Sequence, residues 1–154
     1  MDIPKILLPY NFTSNDKKAL DFICRTFSDK KEAQVTLFNA YIPIPAVEMR
    51  GSPIMEQMKG NLSYLSLRAK EQEDALKTIK NHLLSKGFSE DNIDIVFEPK
   101  RKDVAGDIID MAQNGQFNVV VLNRKPGKIA RFFAGSVSSK VVAALKNTTV
   151  CIVS

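Results

Sequence analysis

Apolar residues follow two alternating patterns along the chain: short, nearly continuous runs, and longer segments in which they recur with helical spacing. The short runs are rich in β-branched and aromatic residues and predict strands, and the spaced segments between them predict helices. The predicted strands are Lys5–Tyr10, Gln34–Tyr41, Asn92–Glu98, Phe117–Leu122 and Thr149–Val153. Strict alternation of strands and helices indicates a parallel sheet that is covered on both faces. We therefore expect one α/β domain over residues 1–154, a doubly wound, five-stranded, Rossmann-like parallel sheet with right-handed crossovers.

The boundaries of the first two helices follow from capping and breaking residues. Thr13 or Ser14 can cap the first helix, which we expect to end near Ser28. The segment Ile42–Gly60 contains three prolines and two glycines, which predicts an irregular excursion over the sheet edge or the cleft. The long amphipathic helix that follows is expected to end at Gly87, because glycine readily adopts the left-handed conformation that ends helices.

The third and fourth helices carry similar signals. Asp103 is a suitable N-cap for the third helix, and Asn114-Gly115 marks its end. The fourth helix begins at Gly135-Ser136, after a basic loop that follows the fourth strand. Because helix N-termini carry unpaired N–H groups and the positive end of the helix dipole, this loop is a candidate anion-binding site.

Composition changes this picture only slightly. The chain of 154 residues is 44% hydrophobic and 25% charged, and its net charge of +5 indicates a mild preference for anionic partners. Basic residues cluster at Lys100–Lys102 and along Arg124–Lys140, but the charge is too small to predict a nucleic-acid partner. Without a signal peptide or a long apolar run, we expect a cytoplasmic protein that does not enter a membrane. Cys24 and Cys151 match no CxxC or zinc spacing and are expected to be buried, reduced thiols.

No constellation of residues predicts catalysis or a metal site. His82 is the only histidine, and no serine or cysteine motif lies near it. Asp107 and Asp110 share a helix face, which solvation at a helix surface explains. We therefore expect no catalytic residue and no metal ligand.

Three segments should meet beyond the carboxyl ends of the strands, where doubly wound sheets bind their ligands. They are Pro9–Phe12, Ala40-Tyr41 and the loop after the fourth strand. Small or apolar residues of the first two segments could enclose a base. In the loop, backbone N–H groups around Gly127 and Gly135–Val137 could hold phosphates.

Side chains of the same loop could assist. Lys125, Lys128 or Arg131 could neutralise phosphate charge, and the Ser136 hydroxyl could donate to a phosphate oxygen. The alternative is that Gly135-Ser136 only turns the chain and caps the fourth helix.

Two stretches of the chain carry a family resemblance. KILLPYNFTSNDKKAL forms the first strand with its turn, and GSVSSKVV followed by TTVCIVS forms the last helix and strand. Over nearly its whole length the chain resembles a universal stress protein domain. The resemblance implies an adenine nucleotide alpha-hydrolase-like fold, a regulatory or binding role in the stress response, and ATP or AMP as the ligand. It also implies a homodimer through Thr149–Val153, which an apolar edge strand favours independently.

Nucleotide-binding members of that family carry the motif G-x2-G-x9-G-S/T, and Gly135-Ser136 matches its end. Counting back places Leu122 and Lys125 at the first two glycines, and a one-residue deletion places Asn123 and Pro126 there. Asn11 replaces the aspartate that helps to hold the nucleoside in the family. These departures predict weak or altered nucleotide binding. The predicted site residues are Pro9, Asn11, Ala40, Leu122, Asn123, Gly127, Lys128, Gly135, Ser136 and Val137.

Two alternatives to a nucleotide-binding module stay open from the sequence. The first is a dimeric scaffold that binds no nucleotide, or a module that binds some other anion. The second is a slow ATP hydrolase, which would need a residue to position water and usually a carboxylate to hold a metal ion.

Overall fold

The computed structural model of the chain describes residues 3–29, 32–43, 53–124 and 136–154, with only the backbone of residues 53–59. Within these ranges five β-strands alternate with four α-helices, which confirms the predicted order. The elements are β1 (Lys5–Pro9), α1 (Asp16–Phe27), β2 (Gln34–Tyr41), α2 (Pro53–Ser85), β3 (Ile93–Pro99), α3 (Val104–Asn114), β4 (Val119–Asn123), α4 (Val137–Ala144) and β5 (Thr149–Val153). Both β2 and β5 have the predicted bounds.

The strands form one parallel sheet in the order β3-β2-β1-β4-β5. β1 is central, pairing along its whole length with β2 and, at Ile6 and Leu7, with β4. From β1 the chain runs outward to β3 and then crosses back to β4, so the strand order reverses between β1 and β4. This is the doubly wound arrangement that the sequence predicts. Its ligand crevice lies beyond the carboxyl ends of β1 and β4.

The core lies on both faces of the sheet, because successive residues of a strand point to opposite sides. Residues of α1 and α2 pack on one face against Ile6 and Leu8. Residues of α3 and α4 pack on the other face against Leu7 and Val120. All four of these strand side chains are fully buried, so the two helix layers hold the strand ends in a fixed position.

α2 begins earlier than the sequence indicates. Its first residue is Pro53, so the prediction that Ile42–Gly60 is irregular is wrong for residues 53–60. Proline is well tolerated in the first turn of a helix, because the N–H that it lacks would have no intrahelical partner there. The preceding residues 44–52 lie outside the described ranges. The helix ends at Ser85, and Gly87 follows with a φ of 102°, as expected for a glycine stop.

Two predicted helix caps are confirmed. At the start of α3, the Asp103 carboxylate accepts a hydrogen bond of 2.7 Å from the Gly106 N–H. At the start of α4, the Ser136 hydroxyl oxygen accepts one of 3.2 Å from the Ser139 N–H. Both bonds satisfy backbone donors that have no partner within the helix.

The predicted cap of α1 is wrong. The N-cap residue is Asn15 instead of Thr13 or Ser14, and its side chain makes no capping hydrogen bond. The reason lies one residue further on, where the carboxylate of Asp16 accepts a hydrogen bond of 2.7 Å from the Thr13 N–H. The aspartate therefore organises the start of α1 from inside the helix.

Both cysteines are free thiols. Cys24 is buried, as predicted, and burial raises the pKa of its thiol. Cys151 is only half-buried, which corrects the prediction that it is a core residue. The reason is its position on β5, which lies at the edge of the sheet.

Candidate functional site

The turn that follows β1 forms one wall of the crevice. The Tyr10 N–H donates to the Phe38 carbonyl at 2.8 Å, so pairing with β2 continues past the end of β1. Phe12 then adopts a φ of 61°, which is uncommon for a bulky residue. A left-handed residue within a turn can direct the N–H groups on either side of it toward one point, which suits an anion.

In this protein the anion is the carboxylate of Asp16. One of its oxygens, Oδ2, accepts hydrogen bonds from the N–H groups of Asn11 at 3.1 Å and Thr13 at 2.7 Å. The other oxygen, Oδ1, accepts a hydrogen bond from the side-chain amide of Asn123, the last residue of β4. Asp16 is fully buried, so this carboxylate connects the turn after β1 to the end of β4 without contact with solvent.

Two features of the environment of Asp16 have opposite effects on its pKa. Burial raises the pKa of the carboxyl group, and the hydrogen bonds from Thr13, Asn123 and Asn11 partly oppose that rise. The same bonds engage two groups that could otherwise serve a ligand, the Asn11 N–H and the Asn123 amide. The sequence analysis missed Asp16, since an aspartate in the first turn of a helix is already explained by the helix dipole.

A narrow cleft of about 20 Å³ lies beside this turn. It brings together three of the predicted site residues, Pro9, Asn11 and Ala40, and its opposite wall includes Val104 and Ile108 of α3. The predicted meeting of the segments after β1 and β2 is thus present in the structure. Apolar walls with a few polar groups are typical of a small-molecule site.

The two predicted site residues at the end of β4 do not line this cleft. Leu122 lies within β4 and is 4% exposed, so its side chain belongs to the core. Asn123 ends the strand and is turned toward Asp16. Gly127, Lys128 and Gly135, together with Lys125 and Arg131, lie outside the described residues.

At the start of α4 the described residues show a cap. The Ser136 hydroxyl oxygen accepts from the Ser139 N–H, and the hydroxyl itself donates to the Ser139 hydroxyl oxygen at 3.0 Å. Val137 follows as the first helical residue and is 37% exposed. Ser136 therefore stabilises the helix start, in agreement with the alternative that the sequence analysis left open.

Asp107 and Lys100 also line the cleft, and the carboxylate of Asp107 holds the loop that carries Lys100. This carboxylate accepts hydrogen bonds from the backbone N–H groups of Arg101 at 3.3 Å and Lys102 at 3.0 Å, and Asp107 is 7% exposed. The expectation that Asp107 is a solvated surface residue is therefore wrong. Because it binds the loop between β3 and α3, it also fixes the position of Lys100, which lines the cleft. Asp110, on the same helix, forms an ion pair of 2.7 Å with Lys102.

The described ranges hold neither a metal site nor a membrane span. There, no group of three His, Cys, Asp or Glu side chains could hold a metal ion. None of the helices in these ranges is long and apolar enough to cross a membrane.

Solved structures share this fold over nearly their whole length. The hypothetical protein MJ0577 is 18% identical, with a TM-score of 0.70 and coverage of 97% of this chain and 94% of that one. A universal stress protein in complex with cAMP is 14% identical, with a TM-score of 0.65 and coverage of 98% and 96%. A universal stress protein family protein from Arabidopsis thaliana with AMP bound is 14% identical, with a TM-score of 0.61 and coverage of 97% and 90%.

Sequence comparison identifies the family directly. No curated protein sequence matches the chain significantly. The family model described as "Universal stress protein family" matches residues 3–152, which is almost the entire chain. Because this match spans almost the whole sequence, the chain belongs to the universal stress protein family.

Proposed function

We propose that the chain is a regulatory module that binds an adenosine monophosphate weakly in the cleft formed by Pro9, Asn11 and Ala40. The observation that carries the proposal is the position of this cleft. It lies beyond the carboxyl end of β1, where the strand order reverses and where doubly wound sheets bind nucleotides. Its apolar wall on α3, which includes Val104 and Ile108, suits the flat face of a base.

The ligands of related proteins support an adenine nucleotide. One solved structure with the same fold is a universal stress protein in complex with cAMP, and another has AMP bound. Both ligands carry one phosphate group on an adenosine. The same class of ligand is therefore the first to test for this chain.

Weak binding follows from the contacts of Asp16. Its carboxylate already accepts from the Asn11 N–H and the Asn123 amide, so these donors are not available to a ligand without breaking a bond. A buried carboxylate beside the crevice also repels phosphate groups, and three phosphates more than one. We therefore propose the preference AMP over ADP over ATP.

Entry of a base requires the cleft to widen. Its volume of about 20 Å³ is enough for about one water molecule and is too small for a base. The Lys100 side chain is exposed, and Val104 is 37% exposed, so both can move outward without loss of core packing. The cost of this rearrangement also lowers the affinity.

Calorimetry with AMP, ADP and ATP, each with and without Mg²⁺, tests the proposal. Ala40→Leu should fill the cleft and abolish AMP binding, whereas Ala143→Leu, at an exposed position of α4, should bind as the parent does. Phosphate release over several hours in the same samples separates binding from slow hydrolysis. Equal AMP affinity of the two variants, or no heat with any nucleotide, would rule out the proposed site.

A second property, self-association through β5, rests on a different observation. β5 is the last strand of the sheet and pairs with β4 on one side only. Its Ile152 is 43% exposed, although isoleucine is a residue of cores and interfaces. An apolar edge strand with free backbone donors and acceptors tends to pair with a copy of itself. We propose a two-fold homodimer through this edge, which is compatible with the nucleotide-binding role and with a scaffold role.

A further inference from the structure

A second cavity lies on the side of the sheet that α2 covers. Val35 and Leu37 of β2 pack into the layer of α1 and α2, so Asn39, two residues further on, faces the same layer. The cavity has a volume of about 100 Å³, and Asn39 borders it together with residues of α2. The described residues of α2 that line it are Leu65, Arg68, Ala69 and Gln72. We call it the α2 cavity.

Asn39 presents a buried acceptor to this region. Its side-chain nitrogen donates to the Tyr10 carbonyl at 2.8 Å. Because a carbonyl can only accept, this bond fixes the orientation of the amide and leaves Oδ1 as an acceptor for another donor. Among the described residues Oδ1 has no hydrogen-bond partner, although the side chain is only 8% exposed. Buried acceptors in native proteins almost always have a partner, so Asn39 requires a donor that the described residues do not supply.

Arg68 supplies a cation at the rim of the same cavity. Its described contact is a long hydrogen bond of 3.5 Å to the Tyr64 hydroxyl. It also lines a groove of about 330 Å³ that shares Gln72 with the α2 cavity and is bordered by Phe12 and Leu67. A guanidinium group is always charged and binds carboxylates through two parallel hydrogen bonds.

We propose that the α2 cavity binds a small carboxylic acid that carries an N–H or O–H donor. The donor bonds to Asn39 Oδ1, the carboxylate pairs with Arg68, and Leu65 and Ala69 contact the carbon atoms between them. A volume of about 100 Å³ admits a molecule of this size and excludes a nucleoside. The α2 cavity and the nucleotide cleft share Asn39 and Ala40 at the end of β2. They differ in their helices, because Arg68 of α2 borders the α2 cavity, whereas Val104 and Ile108 of α3 border the nucleotide cleft.

N-acetylglycine and N-acetylsarcosine are a matched pair of probes, because the second carries a methyl group in place of the amide hydrogen of the first. We expect N-acetylglycine to produce saturable NMR shifts at the Asn39 side-chain amide. N-acetylsarcosine should bind about tenfold more weakly, as loss of one hydrogen bond implies. Arg68→Gln should lose the response to N-acetylglycine, and Lys70→Gln, an exposed position on the same helix, should keep it.

Three results would overturn the proposal. They are equal affinity for the two probes, an unchanged response in Arg68→Gln, and shifts that do not saturate. In each case the α2 cavity does not bind this class of ligand through Asn39 Oδ1 and Arg68. Folding of Arg68→Gln is checked by its amide spectrum, and its AMP binding should equal that of the parent, which separates this site from the nucleotide cleft.

Discussion

The carboxylate of Asp16 and the side-chain amide of Asn123, 107 residues apart in sequence, are hydrogen-bonded across the crevice between β1 and β4. The same carboxylate holds the turn after β1 through the N–H groups of Asn11 and Thr13. One buried side chain thus joins the two sides of the crevice and engages donors of Asn11, Thr13 and Asn123.

Asp16→Ala should destabilise the fold by about 3 kcal/mol, because it leaves buried donors without an acceptor. Urea denaturation of parent and variant measures the difference. Asp74→Ala is the matched control, since Asp74 is exposed and its carboxylate forms a surface ion pair with Lys77. We expect its cost to be about 0.5 kcal/mol or less. Equal losses in the two variants would show that the Asp16 contacts add nothing to stability.

Asp16 also predicts a pH dependence. Burial raises its pKa in the folded state above the ordinary value of 3.8, so the folded protein holds the proton more tightly than the unfolded chain. The contribution of Asp16 to stability is therefore complete below pH 3.8 and decreases as the pH rises through the folded pKa. The free energy of unfolding of the parent minus that of Asp16→Asn should fall over this range. A difference that grows with pH would mean that the hydrogen bonds outweigh burial.

Asn11→Asp tests whether the altered turn limits nucleotide affinity. A carboxylate at position 11 restores the acceptor found in the family, but it lies close to Asp16, whose oxygen is 3.1 Å from the Asn11 nitrogen. Since like charges disfavour each other, we expect little gain from Asn11→Asp alone. Combined with Asp16→Asn, it should tighten AMP binding about tenfold. Calorimetry gives the AMP affinity of the parent, the two single variants and the double variant. If the two single effects on the binding free energy simply add up in the double variant, residues 11 and 16 are not coupled.

Ile152→Lys should convert the proposed dimer to a monomer, because it places a charge on the edge strand β5. Light scattering should then give the chain mass of 17.2 kDa instead of twice that value. Val142→Lys is the control, because Val142 is exposed to a similar degree, 49% against 43%, and lies on α4. If the parent is already a monomer at high concentration, the edge is not an interface.

Two glycines should respond in opposite directions to alanine. Gly60 lies within α2, and no described atom beyond its chain neighbours and its own helix backbone lies within 4 Å of an added Cβ, so Gly60→Ala should stabilise the fold by up to about 1 kcal/mol through helix propensity. Gly87 has a φ of 102°, where alanine is strained, so Gly87→Ala should destabilise it by about 1 kcal/mol. Thermal unfolding of both variants provides the comparison. A stabilising Gly87→Ala would contradict the left-handed helix stop.

The architecture was predictable because its signals are local. Apolar runs defined the strands, and Asp103 and Gly87 marked helix boundaries that the structure confirms. The role of Asp16 was not predictable, since it depends on Asn123, a residue far along the chain. Asp107 was misjudged for a similar reason, because its partners are backbone N–H groups of a preceding loop that the residue types do not reveal. The start of α2 was missed because proline and glycine usually interrupt helices.

The central position of β1 has a consequence for synthesis on the ribosome. β1, β2 and β3 are neighbours in the sheet and emerge in that order, so this half can pair while the rest of the chain is still being made. The other edge of β1 stays uncovered until β4 emerges, and during that interval it can pair with another nascent chain. The hydrogen bond between Asp16 and Asn123 can form only after β4 has paired with β1. Its presence therefore requires that both halves of the sheet have assembled.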